Sequence, residues 1–302
     1  MNIQTALMKA ADTSVPRQSL LRIAPEMKRL HLLIEANEKE ALSFLKIRPV
    51  HTVAMASFIQ DNGLENADNR GKFYGYRNEQ GTLEGIALIG HTTLVEARTE
   101  DSLMAFALVA QKSETPIHIM MSDGKTIETF WKYFAGDDCA PRLVCSELLF
   151  ELNFPFLVQK CEWDVRLADA SELEQIAVAH DEVAFMESGV SPLAKDREGF
   201  LKRCLRRIEQ KRTFVVFESG KLIFKADIVA ETAEIAYLEG IYVAPEFRGK
   251  GVGSSCLSKL GVQLLERVEN ICLLSNVEMK IAHRSFAKAG FKNTDCCQTI
   301  FV

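Results

Sequence analysis

The residues with the clearest chemical meaning lie in the run Tyr237-Leu-Glu-Gly-Ile-Tyr-Val-Ala-Pro-Glu-Phe-Arg-Gly-Lys-Gly-Val-Gly253. Its first part is apolar and strand-like, and it ends at Pro245, which has no N–H to give to a central sheet ladder. Next come Arg248, Gly249, Lys250, Gly251, Val252 and Gly253, opening straight into a helical pattern. Glycine allows tight turns and close approach of a ligand to the backbone. The first amides of a helix lack internal acceptors and carry partial positive charge. Such a loop is expected to hold an anion, a phosphate or pyrophosphate, with Arg248 and Lys250 adding charge. An ordinary strand–helix connection is the competing reading. Glu239 is the other notable position, an acid inside an otherwise apolar strand. Burial would raise its pKa and suit it to accept a proton near neutral pH. A structural ion pair fits that position equally well.

Other phosphate-binding patterns do not fit. Gly249-Lys250-Gly251 does not supply the Gly-x-x-x-x-Gly-Lys-Ser/Thr loop of nucleotide hydrolases. In the dinucleotide fingerprint Gly-x-Gly-x-x-Gly, the third glycine would fall at Ser254, and the next strand ends in Ser275-Asn276 without an acid. The six histidines form neither His-x-x-x-His nor His-Glu-x-x-His, so no metal is expected. The eight cysteines have no Cys-x-x-Cys spacing, and those in apolar runs, such as Cys256 and Cys272, read as small buried hydrophobes.

The 302 residues are 47% hydrophobic and 25% charged, as in a packed protein, and are long enough for two domains. The net charge of −5 argues against a nucleic-acid partner. No apolar run approaches the roughly 20 residues of a membrane span. The first 29 residues lack an apolar leader core and carry a mild basic bias, which predicts a mobile or helical lead-in and a cytoplasmic location.

Elements that would position the loop follow from periodicity. Helices are expected over 31–46 and 51–61, strands over 72–77 and 83–89 around the turn Asn78–Gly81, and a strand over 93–97. Helix 101–111, strand 117–121, helix 125–134 and a strand near 146–152 complete the first half. The order then repeats: helices 169–186 and 196–211, strands 213–218, 222–229 and 234–243, helix 253–268, strand 270–275, helix 280–289 and a strand near 299–302. Two related domains are expected, residues 1–155 and 156–302, with the boundary near 153–161.

The spacing Arg-x-x-Gly-x-Gly after Val243-Ala-Pro-Glu resembles the acyl-CoA loop of GCN5-related N-acetyltransferases (GNAT). Leu273-Leu-Ser-Asn276 resembles the family's fifth strand, and Ala282-His-Arg-Ser-Phe-Ala-Lys-Ala-Gly-Phe291 its closing segment. Phe185-Met-Glu-Ser-Gly-Val-Ser-Pro192 and Phe224-Lys-Ala-Asp227 extend the likeness to a two-domain subgroup with a degenerate first half. The resemblance implies an α+β fold of tandem domains, each a mixed, mostly antiparallel twisted sheet flanked by helices. It implies acetyl-CoA as cofactor and a small-molecule or protein amine as acceptor, in a monomer or homodimer. The CoA pyrophosphate would lie on backbone amides of Gly249, Lys250, Gly251, Val252, Gly253 and Ser254, beside Arg248. Ile241, Tyr242 and Val243 would pair with the pantetheine arm, with the Val243 N–H on the thioester carbonyl. Glu239 is the expected base, and Asn276 is carried over as both catalytic and cofactor-binding. His180 and Glu187 are lesser candidates that read as exposed surface. Two positions depart from the pattern: Phe286 stands where the family has a tyrosine acid, and Met279 where it has an asparagine. Phe286 is therefore expected to pack against the cofactor, leaving water, His283 or Ser285 to protonate the thiolate, or the thiolate to leave unaided. A non-catalytic acyl-CoA-binding or sensing protein is the alternative. The first half has Arg98-Thr-Glu-Asp101 after its third strand and no glycine, so it is expected to bind no CoA and to wall the acceptor cleft. Asn69–Lys72 is a polar loop or a solvated turn.

Overall fold

The computed structural model describes residues 27–136 and 139–302. The lead-in expected at the N-terminus falls, up to residue 26, outside them. The strands are β1 (Leu30–Leu32), β2 (Gly71–Arg77), β3 (Leu83–Gly90), β4 (Thr92–Ala97), β5 (Ile119–Asp123), β6 (Leu143–Leu152), β7 (Arg166–Leu167), β8 (Thr213–Glu218), β9 (Lys221–Glu231), β10 (Ile235–Val243), β11 (Asn270–Asn276) and β12 (Lys292–Phe301). The helices are α1 (Glu38–Leu45), α2 (Pro49–Asn62), α3 (Glu100–Ala110), α4 (Gly124–Ala135), α5 (Leu173–Ser188), α6 (Pro192–Lys195), α7 (Arg197–Glu209), α8 (Val252–Leu264) and α9 (Lys280–Ala289).

The described strands make one twelve-stranded sheet in the order β1-β2-β3-β4-β5-β12-β6-β11-β10-β9-β8-β7. Pairing is antiparallel except for β4 with β5 and β10 with β11. Each half thus holds a meander, one parallel crossover and flanking helices, the expected mixed architecture. At the centre the halves exchange their last strands. β6 pairs with β11, from Ile271↔Leu152 to Asn276↔Glu147, while β12 pairs with β5, from Cys297↔Asp123 to Phe301↔Ile119. β6 and β12 then pair with each other.

The exchange carries core side chains across. Phe150 and Leu152 of β6 lie in the core built by β9, β10, β11 and α8, and Ile300 of β12 lies in the core of α3, α4 and β3. Helix α2 binds the halves from one face. Ser57 Oγ accepts from the Glu231 N–H at 3.1 Å, and Asp61 takes both Arg212 nitrogens at 2.6 and 2.9 Å.

Two expectations need correction, and two short elements went unforeseen. The helix expected over 31–46 begins only at Glu38, after a 3-10 turn at Glu35–Asn37, because residues 30–32 pair with β2 from Leu30↔Tyr76 to Leu32↔Tyr74. The last strand starts at Lys292 rather than near 299, since pairing to β6 holds an exposed polar stretch that has no apolar alternation. The two-residue β7 and the short α6 were too brief to leave a period. Among the described residues no helix is long and apolar enough to cross a membrane.

Ile300 is 2% exposed, and Ile300→Ala opens a cavity in a core that its own half did not build. A loss of about 2–5 kcal/mol is expected, in one transition seen alike by circular dichroism and by fluorescence of Trp131 and Trp163.

Candidate active site

Parallel pairing of β10 with β11 runs only from Ile235↔Asn270 to Leu238↔Leu273. β10 continues to Val243 and β11 to Asn276, so the strands part and leave a cleft between them. A bulge marks the parting point. Glu239 pairs with Asp227 and Tyr242 with Lys225, so Gly240 and Ile241 stand opposite Ala226 alone. Gly240 has φ +58°, the left-handed region that glycine enters without strain. Past the bulge, the Ala244 N–H bonds to Ile223 O on β9 at 2.9 Å. Alternate amides point to opposite sides of a strand, so the Val243 N–H points toward the cleft.

The chain then turns at Pro245–Phe247 and enters α8 through Gly249 (φ +75°) and Gly251 (φ +84°). The first helical bond is the Ser255 N–H to Gly251 O, at 3.0 Å, so the amides of Val252, Gly253 and Ser254 precede the internal ladder. No atom lies within 4 Å of a Cβ built on Gly249 or Gly251, so backbone conformation rather than crowding demands glycine there. Lys250 is exposed beside this turn, its ammonium 5.7 Å from the Phe247 ring centre. Arg248 is exposed but held at both ends: Nε donates to Val243 O at 2.8 Å and a terminal nitrogen to Glu182 of α5 at 2.8 Å. Arg248 thus ties the loop to the strand end and to α5.

At the far end of the cleft, acids converge from three elements. Glu147 of β6 and Glu187 of α5 line one pocket with Asn276, Met279 and Cys145. Glu239 of β10 acts on both of their carboxyls. Burial, then the Glu239 charge, pushes Glu147 up to about 7, against a lowering bond from the Thr299 hydroxyl at 2.5 Å. Glu187 is likewise pushed up to about 7 by desolvation, Glu239 and Glu147. Burial, with the charges of Glu239 and Glu147 close by, holds the hydroxyl of buried Tyr237 well above the ordinary range. Glu239 thus has fellow acids and a tyrosine as neighbours, and its charge also acts on Arg207. Glu147 and Tyr237 escaped sequence reasoning because pairing across the exchanged strand brings them in. Glu187 is exposed, as expected, and lies at the mouth of this pocket.

Other expected residues sit differently. Phe286 is 6% exposed and packs edge-on to Phe150, with ring centres 5.5 Å apart, so it supports the cleft from within the core rather than lining it. His283 Nε2 lies 3.0 Å from Asn276 O and fixes the end of β11. Ser285 turns back to Ile281 O. Asn276 Oδ1 accepts from the Glu278 N–H at 2.9 Å, which shapes the turn beside the pocket. His180 was expected at the surface, but its Nδ1 lies 3.3 Å from Lys225 Nζ; burial and that ammonium push it down to about 3. Within Asn69–Lys72, Asn69 is buried and donates to Gly63 O at 2.8 Å, while Arg70 and Lys72 are exposed and Arg70 makes a left-handed turn, in keeping with a solvated turn.

The first half closes its equivalent of the cleft. β4 and β5 part after Leu94↔Met121, and Arg48 lies across the gap, 3.1 Å from both Glu96 and Asp123. Helix α3 is capped by the Thr99 side chain and opens on Glu100 and Asp101, which oppose an anion. Among the described residues no cluster of His, Cys, Asp or Glu is suited to a metal.

Residues 209–293 match the family model of the acetyltransferase (GNAT) domain. A Drosophila protein superposes with a TM-score of 0.66 at 12% identity, covering 91% of this chain and 98% of its own. A GCN5-related N-acetyltransferase from Sphaerobacter thermophilus gives 0.57 at 13%, covering 90% and 94%. A tandem GNAT protein from the clavulanic acid biosynthesis pathway gives 0.53 at 12%, covering 89% and 97%. No curated protein matches in sequence. The chain thus has the fold of these GNAT structures, and the match to the GNAT domain falls within its second half. Its tandem arrangement is likewise shared in fold with that two-domain protein.

The acid pocket titrates in a stated direction. Glu147 has a folded-state value of about 7, above the ordinary 4.5, so the native state holds this proton more tightly than the unfolded chain. Its contribution is full below the ordinary value and is lost as pH rises through the raised one. Glu147→Gln cannot lose a proton, so it should gain stability relative to the native chain between about pH 5 and 8 in urea titrations.

Proposed function

We propose that the chain is an acetyl-CoA-dependent N-acetyltransferase that passes the acetyl group directly from the thioester to an amine. The supporting observation is one cleft with amides at one end and acids at the other: the N-terminus of α8, the Val243 N–H, then Glu239 with Glu147 and Glu187. The pyrophosphate would rest on the free amides of residues 249–254, beside Lys250, with Arg248 bracing the loop from beneath. Pantetheine would extend along Ile241–Val243, and the Val243 N–H would stabilise the oxyanion.

The acids favour an amine acceptor, which they attract as a cation and must receive neutral. A carboxylate takes one N–H proton, the nitrogen attacks the carbonyl carbon, and collapse breaks the C–S bond. Glu239 is the assigned base, with Glu147 and Glu187 sharing its proton, since groups near 7 can both take and release one at neutral pH. With phenylalanine at 286 and both His283 and Ser285 engaged, the thiolate leaves unaided and takes its proton from water. Residues 156–302 would carry the cofactor. Residues 1–155 would supply the acceptor wall and, through β6, Glu147. The proposed acceptor is a small-molecule or protein amine, and the proposed protein a cytoplasmic monomer or homodimer.

The same Phe286 also favours a second reading, an acyl-CoA binder without turnover. Calorimetry with CoA and acetyl-CoA, then assay across an amine panel, separates the two. Binding should be lost in Gly251→Glu, whose carboxylate opposes the phosphate at the helix start. Glu239→Gln should bind acetyl-CoA normally and lower turnover about 10²–10⁴-fold. No binding by the native chain sinks both readings, and binding without turnover sinks the first.

A further inference from the structure

The Phe224–Asp227 motif has no part in the cleft chemistry so far, yet it holds a fully buried cation. The Lys225 side chain is 0% exposed and that of Asp227 is 1% exposed. An ammonium has three protons to donate, and here all three have acceptors. Nζ lies 2.5 Å from Asp227 Oδ2, 3.1 Å from Gly240 O and 3.3 Å from His180 Nδ1. Asp227 is saturated in turn, by Arg207 at 2.9 Å and the Thr213 hydroxyl at 2.8 Å. The His180 ring stacks on Phe200, with centres 5.4 Å apart. Gly240 is the bulge residue, and a bulge deprives a strand of ladder partners. Its carbonyl has found one in a side chain. The fit leaves no room: a Cβ at Gly240 would lie 2.8 Å from Lys225 Nζ and 2.9 Å from His180 Nδ1. Asp227 and Glu239 are also direct cross-strand partners, a like-charged pair that disfavours the pairing unless compensated. Lys225 and Arg207 both neutralise the Asp227 side.

We propose that Lys225 is a positioning residue: held by Asp227, its ammonium fastens the Gly240 carbonyl and so fixes the bulge that turns β10 from β11 and directs Glu239 at the acid pocket. The consequence for turnover rests on the acetyltransferase reading; the hold on the bulge does not.

Lys225→Met keeps most of the stem and removes the charge. Hydrogen exchange by mass spectrometry should show peptides spanning 237–243 exchanging at least about tenfold faster, with β2, β3 and α3 unchanged. CoA affinity by calorimetry should stay within about threefold, because the α8 loop is a separate element. Acetyl-CoA hydrolysis should fall at least about tenfold in the native background and no further in Glu239→Gln, since residues acting through one another are not additive. Unchanged exchange at 237–243, or a uniform rise over the whole chain, overturns the proposal, as does a loss that adds fully to that of Glu239→Gln. If Lys225→Met fails to fold, Gly240→Ala decides: its Cβ displaces the ammonium and should produce the same local exchange, whereas unchanged exchange there overturns the proposal. If the native chain binds no acetyl-CoA while the exchange responds as expected, the acetyltransferase reading falls and the hold on the bulge stands.

Discussion

The constraint on which the site depends is the short life of the parallel pairing between β10 and β11. It ends at Leu238↔Leu273, and both strands run on without each other. A sheet that stayed closed there would bury the Val243 N–H in a ladder and set Glu239 against a neighbouring strand. Parting the strands exposes both along one edge. The break is made covalently cheap by Gly240 and electrostatically firm by a buried cation on its carbonyl. Parted strands need a wall opposite, and β6 supplies it with Glu147 on its cleft-facing stretch.

The two halves solve the same geometric problem in opposite ways. In the first half, β4 and β5 also part after a few residues, but Arg48 bridges the gap to Glu96 and Asp123. The ion pair occupies space that the other half leaves open. The helix beyond that gap is capped by its own threonine and begins with acids, whereas α8 begins with glycine and leaves its amides unspent. Equivalent backbone therefore supports a closed scaffold on one side and a receptive cleft on the other.

Much of this was legible in the sequence where the signals are local. The hairpin at Asn78–Gly81, the long helices and the glycine turn before α8 follow from periodicity and from residues with special backbone freedom. The family resemblance rested on the same local runs. Non-local pairing was not legible. Residues 31–32 read as helix because nothing nearby reveals that Gly75 and Tyr74 will pair with them. Glu147 is unremarkable in the run Val144-Cys-Ser-Glu-Leu-Leu, and gains its raised carboxyl only when β6 is laid beside β11 and β12. Lys225 and His180 look like solvated residues until bulge and helix meet. Phe286 was read by alignment to a reactive position, but the packing of Phe150 and Phe291 claims it for the core.

The exchange of β6 and β12 also bears on how the chain is made. β5 and β6 lie on either side of β12, so neither can complete its hydrogen bonding until that last strand exists. A nascent chain folding from its N-terminus would hold two unsatisfied strand edges through the whole synthesis of the second half, the kind of surface that invites pairing with other chains. Closure of the sheet and completion of the acid pocket then become one event, because Thr299, which bonds Glu147, arrives on the same strand. The chain completes its first-half core and its site together, once β12 is in place.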